Sequence, residues 1–180
     1  SHIHALDSFQ DEEEMMFSHC PSIKNHVRYI GRYLRWRYID IPDHDYRVIT
    51  SGKEGEYGIY RIQKIMGYDC SVVRIIEWSF GLSSWQNAIK FLKNEGMKEQ
   101  AILIDFFCSS GEIGNRLQES GFVSNKVFPF DTIPRLFRPL YPQYTDLITC
   151  IDVPPYRNRD AVNFHDWYIS KGNSDMDRKK

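Results

Sequence analysis

The sequence predicts an α/β domain built on a mixed, partly parallel sheet flanked by helices. Three observations carry that expectation. First, β-prone runs at 46–50, 57–65 and 70–80 are separated only by short turn clusters, which favours antiparallel neighbours. Second, strand and helix patterns alternate from 70 to 128. A strand–helix–strand unit needs a crossover, and that implies parallel neighbours. Third, 42% of the 180 residues are hydrophobic and 14% are aromatic, enough for one sizeable core.

Each element has a local signal. Pro21-Ser22 precede Ile23, Val27, Ile30, Leu34 and Tyr38 at helical spacing, which predicts a helix over 22–39, stopped by Ile41-Pro42. Its other side carries Lys24, Arg28, Arg32 and Arg35, a basic stripe that is either a phosphate-binding or a solvated face. Ser51-Gly52-Lys53-Glu54-Gly55 turns the 46–50 strand into the 57–65 strand. The run 70–80 is apolar on both faces, the mark of a central strand. Ser83 or Ser84 is the expected cap of a second helix with Trp85, Ala88, Ile89 and Leu92 buried, and Gly96 is its expected terminator. A fourth strand at 101–107 leads to Ser109-Ser110, capping residues of a third helix at about 111–120 that ends at Gly121. Strands at 122–128 and 146–153 complete the pattern.

The 23 Lys and Arg nearly balance the 24 Asp and Glu, giving a net charge of −1. That balance argues against a DNA-binding surface. No run approaches the ~20 apolar residues of a membrane helix. Nor does the N-terminus carry the basic and apolar regions of a signal peptide. Cys20, Cys70, Cys108 and Cys150 are spaced too widely for the paired ligands of a zinc site. They read as buried free thiols, in keeping with a reducing, cytoplasmic compartment. The chain opens on Ser1-His2 instead of Met, which fits either a vector remnant or a fragment of a longer protein. Its organisation is read as an arm or linker at 1–21, a domain at 22–170 and a polar tail at 171–180.

Several residues invite chemistry. Glu77 is a carboxylate within an apolar strand, where burial raises a pKa toward that of a general base; pairing with Arg74 or Arg61 is the plainer role. Cys108 lies at a strand end before a helix, a position that can lower a thiol pKa, yet no His is sequence-local to it. His44 sits between Asp43 and Asp45 without a full ligand set. Asn173, Asp175 and Asp177 lack the Gly and distal Glu of a calcium loop. The segment 129–142 combines four prolines with Phe130, Leu136, Phe137, Leu140 and Tyr141. It reads as an acceptor-pocket wall, a cap on its own sheet, or a contact to a neighbouring domain or second copy.

The order of elements over 22–153 resembles the GNAT acyltransferase superfamily. The resemblance is carried by the helix ending Arg35-Trp36-Arg37-Tyr38, the strand Val72–Phe80 with the helix after it, the strand Ala101–Phe107, and the short helix followed by Gly121-Phe122. The closing Trp167…Gly172…Asp175…Asp177-Arg178 resembles the end of GNAT-like proteins of bacterial polysaccharide or sugar loci. The resemblance implies that acetyl-CoA or another acyl-CoA lies along Ile75, Ile76 and Trp78, with its pyrophosphate at Gly81, Ser83 and Ser84, where a helix start offers free N–H groups. It implies Glu77 as the base and Asn115 as a second catalytic residue. This loop holds one Gly and no basic residue, and the position of the family's Tyr reads Gln118-Glu119-Ser120. The implied function is N-acyl transfer to a sugar amine or small-molecule amine, with an open cleft beside Ile75–Trp78. The alternative is a non-catalytic, structural or partner-docking GNAT-like domain whose side chains fill that cleft. A third reading is an aminoacyl-tRNA-dependent transferase, which requires a continuous basic patch.

Overall fold

The structure is a computed structural model, and it describes residues 2–14, 17, 20, 23, 25–42, 45–65, 67–124 and 166–173. Its elements in chain order are β1 (His4–Ala5), β2 (Asn25–His26), α1 (Gly31–Tyr38), β3 (Tyr46–Thr50), β4 (Tyr57–Lys64), β5 (Ser71–Trp78), α2 (Leu82–Lys98), β6 (Ala101–Phe106), α3 (Gly111–Glu119) and β7 (Trp167–Tyr168). A 3-10 turn, Lys171–Asn173, follows β7. The main sheet has the order β1-β3-β4-β5-β6. Each neighbouring pair among its first four strands is antiparallel, and β5 and β6 run parallel. This is the mixed, partly parallel sheet that the alternation of elements implies. β5 is buried along its whole length, as a central strand should be.

α2 lies on one face of the sheet with Ser84, Trp85, Ala88, Ile89, Leu92 and Gly96 turned inward. Gly96 does not terminate it. The helix continues to Lys98, and a Cβ at Gly96 would sit 3.2 Å from the Val73 side chain. Glycine eases the close helix–strand approach there, and Gln100 (φ 54) takes the left-handed backbone. The cap is Gly81 and not Ser83 or Ser84, and no side chain caps the first turn. α3 follows expectation more closely. Ser110 Oγ accepts the Ile113 N–H at 3.4 Å, and Gly121 (φ 89) follows the last turn.

The first helix is shorter than its periodicity predicts. α1 begins at Gly31, and Asn25–His26 instead pair in parallel with Trp167–Tyr168. Val27, placed on the predicted buried stripe, is 51% exposed, whereas Tyr29 off that stripe is buried. Gly31 lies so close to the Gln10 carbonyl that any Cβ would overlap it. The N-terminal residues are packed into the domain instead of forming a free arm. β1 pairs with β3, and Ile3, Phe9, Phe17 and Cys20 join the core. Arg28 pairs with Glu14, and Arg35 with Asp11 at 2.7 Å. The acidic run thus meets the basic stripe and pairs with two of its charges at the surface. Residues 122–124, the described start of the strand expected at 122–128, form no strand. Residues 125–165 and 174–180, with the rest of that strand, the strand expected at 146–153 and the apolar segment 129–142, lie outside the described residues, as do His44 and Cys150.

Candidate functional site

Side chains opposite one another on neighbouring strands share a face. Tyr46 pairs with Arg61, Arg61 with Arg74, and Arg74 with Asp105. Four adjacent strands therefore present one row of side chains on the face away from α2. Tyr38 of α1 packs edge-on against Tyr46, with ring centroids 5.1 Å apart. Glu77, three residues after Arg74, would point to the opposite face in a regular strand. The register between β4 and β5 slips at Ile59/Tyr60, so that Tyr60 opposes Ile75 and Ile59 opposes Glu77. Ile76 is the extra residue of a bulge, and the bulge turns Glu77 onto the face of Arg74 and Tyr38.

Glu77 is wholly buried. Its Oε1 accepts the Tyr38 hydroxyl at 3.3 Å; its Oε2 accepts Tyr168 at 2.9 Å and Ser170 at 2.8 Å. Burial pushes the carboxyl up to about 7, against the opposing pull of hydrogen bonds from Ser170, Tyr168 and Tyr38 and of the Arg37 charge. Its partners are thus hydroxyls, and not Arg74 or Arg61. Arg37 Nε donates to the Tyr38 hydroxyl at 3.1 Å, which links the cation to the carboxylate through a phenol. A Cβ at Gly172 would overlap both Glu77 Oε1 and the Tyr38 hydroxyl, so the 3-10 turn closes directly over the acid. Ser170 is held in turn by Asn173, whose Oδ1 accepts the Ser170 N–H at 2.7 Å and whose amide donates to Tyr29 at 2.6 Å.

β5 and β6 pair only as far as Ile75 and Phe106, while β5 runs on to Trp78. The Ser79 N–H turns back to Tyr57 of β4, so the Trp78 N–H faces the side where β6 has ended. The Tyr168 hydroxyl fills that position and accepts the Trp78 N–H at 2.9 Å. Residues 167–170 are secured on the far side by Ser109. Its N–H donates to Ile169 O at 3.0 Å, its hydroxyl donates to Trp167 O at 2.6 Å, and the Ile169 N–H donates to that hydroxyl at 2.9 Å. The segment is a wedge between the parted strand ends. Trp78 and Phe80, both fully buried, stack edge-on at 4.8 Å and fill the opposite side over Gly58.

The start of α2 is also engaged. The Gly81 N–H donates to Glu56 Oε1 at 3.1 Å, and Ser51 donates to Glu56 Oε2 at 2.5 Å. Burial alone would raise the Glu56 pKa, but these hydrogen bonds and the Lys53 charge hold it below the usual range. A carboxylate at this helix start opposes a phosphate by charge. Ser83 is exposed and accepts a hydrogen bond from Lys53 Nζ at 2.7 Å, while Ser84 is buried. Lys53 thus places a cation at the loop that the local sequence lacks. Asn115 stands exposed on α3 and is not among the partners of Glu77. Cys108 is no candidate nucleophile. Burial pushes its thiol up to about 12, and the Ser110 N–H that donates to its sulfur does not offset this. A polar hollow of about 150 Å³ lined by Lys64, Cys70, Lys98 and Gln100 lies at the opposite end of β5 from Glu77. No group of three or more potential metal ligands occurs among the described residues. No helix among them is long and apolar enough to cross a membrane.

Of the residues singled out by sequence, the structure therefore joins Ile75, Ile76, Glu77 and Trp78 on one strand and Gly81, Ser83 and Ser84 at one loop. Tyr38, Tyr168, Ser170 and Gly172 were not singled out as site residues, because they are far from Glu77 in sequence: the hydrogen bonds from Tyr38, Tyr168 and Ser170 span 39 to 93 positions. No protein-family model, curated protein or solved structure matches this chain.

Proposed function

We propose that this chain is a GNAT-like domain with a structural or partner-docking role, not a working acyltransferase. One observation carries the reading. The Tyr168 hydroxyl occupies both the Trp78 N–H and the Glu77 carboxylate, the two groups that an acyl-CoA-dependent enzyme of this type would offer to thioester and amine. The Glu56 carboxylate at the Gly81 N–H supports it independently, since an anion there repels a pyrophosphate. Calorimetry with acetyl-CoA, using free CoA as control, tests it. The reading expects no binding at millimolar cofactor. Micromolar binding that is lost in Ser84→Pro, which disturbs the start of α2, would refute it.

The second reading is acyl-CoA-dependent N-acyl transfer to a small-molecule amine. What favours it is a carboxyl with a pKa of about 7 at the point where β5 and β6 part. A base poised near neutrality is suited to taking an amine proton. It requires residues 167–173 to leave the strand gap before cofactor enters. In that case Tyr168→Ala strengthens acetyl-CoA binding, whereas the first reading expects no binding in either protein. An aminoacyl-tRNA-dependent reaction gains no support from the basic stripe, because Arg28 and Arg35 are paired with acids.

A further inference from the structure

The row across the sheet holds buried, unpartnered guanidinium donors that the Glu77 site does not use. Arg74 is wholly buried, and its Nε, Nη1 and Nη2 all lack a hydrogen-bond partner. Its nearest counter-charge is Asp105 Oδ2, 3.7 Å from Nη2, too far for a hydrogen bond. The other Asp105 oxygen is taken by Lys171 Nζ at 2.6 Å. Arg61, opposite Arg74 on β4, is also buried, with its Nε unpartnered. Asp105 thus hydrogen-bonds to Lys171 and leaves the Arg74 guanidinium, with Arg61 beside it, without a hydrogen-bonded anion among the described residues. Burial weighs on Arg74 and Lys171, and each feels the repulsion of Arg61. Leaving guanidinium donors buried and unpaired is costly, because a charged group gives up its hydration without a replacement.

From this arrangement we infer that Arg74, Arg61 and Lys171 form a binding site for an oxyanion, the carboxylate or phosphate group of a small ligand. The Arg74 guanidinium supplies parallel N–H donors in one plane, the geometry that takes two oxygens of a carboxylate or phosphate at once. An anion beside it would take up the Arg74 N–H donors, which Asp105 at 3.7 Å does not. Lys171 belongs to the turn that also closes over Glu77, so the anion stabilises the closed segment along with the sheet. The site is separate from the strand gap, and its occupancy does not depend on acyl-group chemistry.

Thermal unfolding of the full chain tests this, with sodium phosphate or sodium acetate titrated at constant ionic strength against sodium chloride. Phosphate, acetate or both should raise Tm in a saturable way, by roughly 5–10 °C at a hundred times Kd. Arg74→Met should weaken that binding roughly tenfold or more, and raise Tm in chloride alone by removing an unpaired buried charge. Arg61→Met should weaken it as well, which keeps the test available if the first variant does not fold. A wild-type Tm that follows ionic strength alone, with no difference between oxyanions and chloride, overturns the proposal. So does an unchanged oxyanion effect in both variants. A response to phosphate and not acetate identifies a phosphate group as the ligand, and the reverse identifies a carboxylate.

Discussion

Replacing Glu77 by Gln isolates the energetic consequence of burying a carboxyl under three hydroxyls. The native pKa is about 7 against an ordinary value of 4.5. A raised carboxyl pKa means that the native state holds its proton where the unfolded state has lost it. Stability is therefore fully present below about pH 4.5, falls as pH rises toward 7, and is flat beyond. At about 1.4 kcal/mol per pH unit, that interval amounts to about 3 kcal/mol. Gln has the same shape and no charge, and its oxygen can still accept Tyr168 and Ser170 while its amide faces the Tyr38 hydroxyl. Urea unfolding from pH 4 to 8 in both proteins measures the effect. The difference, Gln variant minus wild type, should climb by about 3 kcal/mol between pH 4.5 and 7, whatever its absolute offset. A difference that stays flat over that interval, or falls, would refute the claim that Glu77 is buried with a raised pKa.

Other perturbations address the same architecture. Tyr168→Phe removes the hydroxyl shared by the Trp78 N–H and Glu77, and should cost about 1–3 kcal/mol in urea unfolding. It should also push the Glu77 pKa still higher, extending the pH-dependent interval upward. Gly172→Ala should lower stability by about 1–3 kcal/mol, because the new methyl meets the Glu77 carboxylate and the Tyr38 hydroxyl. A neutral result in thermal melts would place Gly172 elsewhere. Cys20 and Cys108, each pushed up to about 12 by burial, should resist alkylation at pH 8 until the chain unfolds, as read by mass spectrometry of labelled peptides.

The parts of the fold that were legible in sequence are those specified locally. The hairpin around Gly52 and Gly55, the doubly apolar β5 and the stripe of α2 each carry their own period or turn residue. Elements specified by distant partners were not legible. β1, β2 and β7 are two residues long, and a period cannot be read from two residues. The predicted helix over 22–39 was misjudged at its start because Ile23, Val27 and Ile30 mimic a helical stripe, while strand pairing between His26 and Tyr168 decides the outcome. Glu77 was legible as a carboxylate with a raised pKa. Its direction was not, since it depends on a one-residue bulge at Ile76. Tyr168, Ser170 and Gly172 left no signal near Glu77, and Lys171–Asn173 looked like polar tail. Arg61, Arg74 and Asp105 become a row only once strand register is known.

The central claim is that residues 167–173 occupy the gap between β5 and β6, with Tyr168 on the Trp78 N–H. Amide hydrogen exchange at Trp78, measured with and without millimolar acetyl-CoA, tests it most directly. The account predicts exchange only through global unfolding, at a rate that acetyl-CoA leaves unchanged. Fast exchange through local opening, with protection gained on adding acetyl-CoA, would contradict it and identify the gap as a working cofactor cleft.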